Sequence, residues 1–243
     1  MKKILIIVFL IFPLFASTTH TKIMFESGVS FYGKVGETYL DFKEDSDTHR
    51  YVMKVTAKST GMLKAISNNR VDIFLSEGII KDGVYIPQTY TKRATENGYE
   101  RVMVYKFDYK NNKITKDVVK KEDTTTTEFN HELFRFVEKT TTLTTKKSSI
   151  LKMYKNDFLT LYLNFTHHTL QAGNITYLDQ KEGDYVSLID DTSFNINKNR
   201  GEHIIKIKLI NDAKSQFFKK ALSELSFYGD AYIEKISERI SVY

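Results

Sequence analysis

The chain has 243 residues, of which 41% are hydrophobic, with 11 Gly, 2 Pro, no Cys and a formal net charge of +6. This composition excludes global disorder and collagen-like or low-complexity architecture. The missing cysteine excludes disulfides, thiol catalysis, thiolate metal sites and the acylated cysteine of a bacterial lipoprotein. The length suits one large all-β domain or two small ones. With 15 Tyr and 17 Phe but no Trp, the aromatic content favours strands, where rings pack on a pleated face. The positive charge suits a well-solvated surface, with weak attraction to anionic lipid head groups as the sharper alternative. No dense Lys/Arg run and no aromatic-basic signature supports nucleic-acid binding.

In chain order, Lys2 and Lys3 lead into an apolar run from Ile4 to Phe15, followed by Ala16, Ser17 and Thr18. A positive start, a greasy middle and a small-residue exit predict a secretory signal peptide cleaved after Ala16. An uncleaved anchor is the alternative. At roughly a dozen residues, the run is too short to cross a bilayer as a helix. The expectation is a periplasmic protein made of a single β-rich domain over residues 17–243, with no membrane span after cleavage.

Arg50 to Lys58 then alternates cleanly, with Tyr51, Met53, Val55 and Ala57 facing one way and Lys54, Thr56 and Lys58 the other. Period-two alternation of this kind predicts a strand with one buried and one wet face. Val71, Ile73 and Leu75 repeat the pattern up to Glu77-Gly78, and Lys81-Asp82-Gly83 is a turn. Tyr85 to Thr95 reads as extended, with Pro87 suggesting an edge or a strand start. Asn97-Gly98 is the strongest hairpin signal, and it leads into Arg101, Met103, Tyr105 and Phe107 on one face. Asn111-Asn112 reverses the chain before Ile114 to Val119.

Thr124 to Thr127 and Thr140 to Thr145 flank the aromatic stretch Phe129 to Val137. Threonine is β-branched, so two long strands are expected here, with a disordered linker as the alternative. Asp157 caps the best helix candidate, in which Phe158, Leu159, Leu161, Tyr162 and Phe165 form a wide apolar face. Strands resume at Ile175 to Leu178, Tyr185 to Ile189 and Glu202 to Ile210. Phe217 to Leu225 fits a helical stripe or a strand, and a final segment runs from Tyr228 to Tyr243.

Three stretches together resemble a bacterial envelope family catalogued as domain of unknown function three-one-zero-eight. Gly28 to Glu37 is similar to its opening strand pair, Thr60 to Lys64 to its break between strands, and Asp157 to Tyr162 to its helix start, with Thr160 in place of Ser. The resemblance covers Phe25 to Lys208. It implies a curved antiparallel sheet, similar to the half-barrels of periplasmic lipoprotein carriers, with a helix across the concave side. It implies no activity and carries over no catalytic residue.

Chemistry-bearing patterns are sparse. His167 and His168 are adjacent, so on a helix they point about 100° apart and do not converge on one metal. Glu44 with Asp45 and Asp190 with Asp191 lie in turn-like stretches, and no serine elbow or phosphate-cradling loop is present. Asn164-Phe165-Thr166 and Asn174-Ile175-Thr176 match only the bare glycosylation pattern. The expectation is therefore an all-β protein, a curved antiparallel sheet or open half-barrel with one or two helices, that is not an enzyme and uses no cofactor or metal. Its expected role is to bind or carry a lipid or an acylated envelope component on a concave face lined by Tyr51, Met53, Val55, Val71, Ile73, Leu75, Met103 and Tyr105. The alternative is an envelope interaction module that docks a protein partner through a strand edge or the Thr-rich hairpin. Hydrolysis of an envelope polymer would require ionisable side chains converging in a cleft.

Overall fold

A computed structural model describes residues 18–30, 32–130, 135–170, 173–178, 180–181, 183–225 and 229–243. The expected leader, residues 1–16, lies outside them, as do residues 131–134 of the aromatic stretch. The strands and helices, in chain order, are β1 (Thr18–Val29), β2 (Gly33–Asp45), β3 (Arg50–Ser59), α1 (Gly61–Ile66), β4 (Val71–Lys81), β5 (Val84–Glu96), β6 (Tyr99–Asp108), β7 (Lys113–Asn130) and β8 (Arg135–Lys152). They continue with α2 (Phe158–Thr166), β9 (Asn174–Ile175), β10 (Tyr185–Asp190), β11 (Ser193–Lys198), β12 (His203–Ile210), β13 (Lys220–Leu225) and β14 (Gly229–Val242).

Among the described residues all 14 strands join one curved, open sheet in the order β8-β7-β6-β5-β4-β3-β2-β1-β14-β13-β12-β11-β10-β9. Every pairing is antiparallel, and every pairing except β1 with β14 joins neighbours in sequence. The two halves thus meet at a central seam where the first described strand pairs with the last. Short turns build each half: Asp82 and Gly83, at φ 52° and 77°, reverse β4 into β5, and Gly98 at φ 68° reverses β5 into β6.

Bulges interrupt the ladders at Met24/Phe25, Ser27/Gly28, Glu77/Gly78 and Leu188/Asp190, and such interruptions bend a sheet. The Glu77/Gly78 bulge explains Pro87. Instead of marking an edge, Pro87 lies inside interior strand β5 opposite Gly78, and its carbonyl accepts from Tyr109 Oη at 2.6 Å. The Thr-rich segments are ordered as the long β7–β8 hairpin, with Thr125 Oγ1 and Thr140 Oγ1 3.3 Å apart across it. Three expectations shift. The strand expected at Ile175 to Leu178 shrinks to β9, Phe217 to Leu225 resolves into a loop and β13, and Ser193–Lys198 supplies β11.

Helix α2 leaves edge strand β8 and leads to edge strand β9, so the chain crosses from one margin of the sheet to the other over the inner face. The cap expected of Asp157 is present, and Thr160 completes it as a capping box: Asp157 Oδ1 accepts from the N–H groups of Leu159 and Thr160, while Thr160 Oγ1 accepts from the Asp157 N–H. Asn164 fixes the helix sideways. Its Oδ1 accepts from Tyr85 N–H at 2.8 Å, and its Nδ2 donates to Tyr85 O and Asn156 Oδ1, both at 2.9 Å. β5 pairs with β6 only from Thr89 onward, so Asn164 satisfies backbone groups that the ladder leaves open at Tyr85. Because Asn164 is buried, it is no glycan acceptor. Asn164→Ala strands those groups, and urea unfolding of the variant should show a loss of about 2–4 kcal/mol. A change below about 0.5 kcal/mol would mean that the helix is not anchored there.

Candidate functional site

Cross-strand register sorts the side chains by face, because residues directly opposite each other in an antiparallel pair point the same way. Met53 opposes Phe42 on β2 and Ser76 on β4, Ser76 opposes Tyr90 on β5, and Tyr90 opposes Tyr105 on β6. These inner-face residues meet α2 in the core, which includes Phe42, Tyr51, Met53, Tyr85, Tyr90, Tyr105, Ile114, Leu159, Leu163 and Phe217. Rings interlock across it. Phe42 meets Phe217 edge-on at 5.6 Å between centroids, Tyr51 meets Tyr85 at 5.2 Å, and Tyr162 stacks on Phe217 at 6.3 Å. Under α2, the protein's own side chains occupy the concave face.

Beyond the reach of α2 the same face is open. A cavity of about 630 Å³ is lined by Phe74, Met103, Ala94 and Tyr99 together with Arg70, Asp72, Lys92, Arg93, Glu96 and Arg101. A second hollow of about 200 Å³, lined by Val35, Gly36, Thr38, Ala57 and Ser59 among others, shares Arg70 and Asp72 with it. The two form one trough across β2 to β6. The inner-face residues run in rows: Phe74 opposes Lys92, which opposes Met103, and Met103 opposes Val118. One row further out, Asp72, Ala94, Arg101 and Lys120 follow each other across the same strands. Apolar and charged side chains alternate along both rows from β4 to β6.

The eight residues expected to line a ligand face divide three ways. Tyr51, Met53 and Tyr105, each at most 1% exposed, belong to the closed core, and Val55 packs against it. Met103, 8% exposed, lines the cavity. Val71, Ile73 and Leu75 oppose Lys58, Thr56 and Lys54, which places them on the outer face, while their neighbours Asp72, Phe74 and Ser76 point inward. The polar lining residues Arg70, Asp72, Lys92 and Glu96 carry no hydrophobic signal, so alternation alone passes over them.

Ion pairs order the cavity wall. Arg70 donates to both Asp72 carboxylate oxygens at 2.8 and 3.0 Å and to Glu96 Oε1 at 3.2 Å. Among the described residues no cluster of His, Asp and Glu side chains is arranged to hold a metal ion. His20 pairs with Asp41 at 2.7 Å, and His167 lies against the Tyr85 ring. Asp45 and Asp190, one from each of the acidic pairs, accept backbone N–H groups within their own turns.

A buried carboxyl sits at the root of α2. Asp157 is fully buried, and its Oδ2 accepts from Ser76 Oγ at 2.6 Å. With its proton directed at Asp157, Ser76 in turn accepts from Tyr51 Oη at 3.0 Å. Burial pushes the Asp157 carboxyl up to about 6, although the hydrogen bonds from Ser76, Thr160 and Leu159 pull it down. At the other end of the helix, burial holds His167 below its ordinary value, partly opposed by the Glu44 carboxylate.

Residues 25–137 match the model of a family described as a protein of unknown function (DUF3108). That stretch runs from β1 into β8 and contains every residue lining the cavity, whereas α2 and β9 to β14 lie outside it. The resemblance read from motifs extends to Lys208. The Asp157 to Tyr162 motif therefore lies beyond the match. No curated protein and no solved structure matches the chain.

A folded-state carboxyl raised above its unfolded value of roughly 3.9 binds more protons in the native state. Its stabilising contribution is therefore full below about pH 4 and lost as pH rises through about 6. His167 acts in the opposite direction, losing stability as pH falls below its unfolded value. Asp157→Asn keeps an acceptor for the helix N–H groups and cannot ionise. Subtracting its unfolding free energy from that of the native chain cancels His167. The difference should favour the native chain by on the order of 2 kcal/mol more at pH 4 than at pH 7. A flat difference would contradict the buried, ionisable cap.

Proposed function

We propose that this chain is a non-catalytic binding protein of the cell envelope, acting in the periplasm after export, and that it holds the acyl part of a lipid or acylated envelope component at the open end of its half-barrel. One observation carries this reading: the concave face is filled beneath α2 and left vacant beyond it, where Phe74, Met103 and Ala94 supply apolar surface between charged side chains. The cavity, about 630 Å³, falls within the range of roughly 300–1,000 Å³ usual for small-molecule sites. Each methylene buried there contributes about 0.8 kcal/mol, so even half of an acyl chain gives useful affinity. The leader-like N-terminus supports export. The lining residues support binding over hydrolysis, since Arg70 ties up both Asp72 and Glu96 and no histidine lines either hollow.

The cavity can be closed without touching the core by Ala94→Phe, which sets a ring over the floor. An apolar fluorescent probe should bind the native chain, be displaced by oleate, and bind the variant at least about tenfold more weakly, a difference of about 1.4 kcal/mol. Equal binding by both proteins would remove the acyl site from this cavity.

A second reading has its own observation. Among the described residues β8 has β7 as its one strand neighbour, and it runs for 18 residues, exposed along almost its whole length. Such an edge is a template for an added strand. Crosslinking in intact cells distinguishes the two. A single protein partner, lost on deleting Phe129 to Val137, would favour docking, whereas crosslinks that survive the deletion would argue against it.

A further inference from the structure

Resting on the acyl-site reading above, we infer that the bound amphiphile carries an acidic head group, a phosphate or carboxylate, and that Arg101 is the side chain that reads it. Arg101 stands on the inner face of β6, with Ala94 opposite it on β5 and Lys120 opposite it on β7. Neither neighbour offers an acceptor. The Arg101 Nε is buried without a hydrogen-bond partner, one of two such side-chain atoms among the described residues. Buried guanidinium donors are normally satisfied, so this one marks a place where an acceptor belongs.

The surrounding charges point the same way. Arg101 faces a like charge directly across the ladder, an unfavourable pair unless an anion lies between them. Lys92 lies in the adjacent row, opposite Met103. Asp72, in the same row, and Glu96, in the next, are already engaged by Arg70, and the third carboxylate of these rows, Glu122 opposite Tyr99, leaves the Arg101 Nε unpartnered. A guanidinium presents a planar fork that fits the paired oxygens of carboxylate and phosphate, a geometry no ammonium reproduces. The Met103–Val118 floor runs on from the Arg101–Lys120 row, so an acyl chain on the floor brings an attached acidic group to Arg101.

Calorimetric titration of the full chain with three probes tests this. They are oleoyl lysophosphatidylglycerol below its micellar concentration, neutral mono-oleoylglycerol, and inorganic phosphate. The native chain should bind the anionic lysolipid at least tenfold more tightly than the neutral lipid. Arg101→Gln should abolish that preference by weakening the anionic lysolipid at least tenfold, and Arg101→Lys should restore only part of it. Equal affinity for the charged and neutral lipids would overturn the head-group inference and leave the acyl site standing. Failure of both lipids to bind would overturn the two together. Phosphate binding that depends on Arg101 and matches the lysolipid in affinity would support the anion site and overturn the acyl reading.

Discussion

The structure depends on one buried carboxylate. Asp157 joins the first turn of α2 to the middle of the sheet through Ser76 and Tyr51, in a place with no solvent to share the charge. Such a group is tolerated because four hydrogen bonds reach or surround it, and it fixes where the helix begins. Asn164 then fixes how the helix lies against β5. With both ends determined, α2 covers a definite part of the concave face. The cavity is what remains.

That division of the inner face is also a division of chemistry. Beneath the helix aromatic rings interlock: Phe25 of β1 meets Phe218 at 4.9 Å, Phe42 of β2 meets Phe217 at 5.6 Å, and Phe165 of α2 meets Phe194 of β11 at 5.1 Å. Past the helix, the same strands continue with alternating charged and apolar inner residues. A sheet whose inner face turns from aromatic to charged along its strands, while staying concave, is suited to a molecule with a greasy part and an ionic part.

Much of the fold was legible in the sequence, because turn chemistry and alternation are local. Arg50 to Lys58, the Asp82-Gly83 and Asn97-Gly98 turns and the Asp157 cap all reappear where their residue types require them. The candidate site was less so. Hydrophobic alternation selects Val71, Ile73 and Leu75 for the inner face, yet they lie outside, because β4 carries aliphatic side chains on both phases and its inner phase includes Asp72 and Ser76. Hairpin register is the better signal. A two-residue turn at Asn97-Gly98 sets Glu96 against Tyr99, and counting back from it sets Lys92 against Met103 and Ala94 against Arg101. The role of α2 in filling one end of the trough could not be read this way, since it rests on contacts between residues far apart in the chain, such as Ser76 with Asp157 and Tyr85 with Asn164.

The most direct measurement of this division is the anomalous signal of bromine in crystals of the full chain soaked with a fatty acid brominated along its chain. The account predicts a bromine position over Phe74 and Met103, with the carboxylate toward Arg101 and the rings beneath α2 unmoved. Bromine lodged among Tyr51, Tyr85 and Leu163, or found nowhere in the trough, would contradict it.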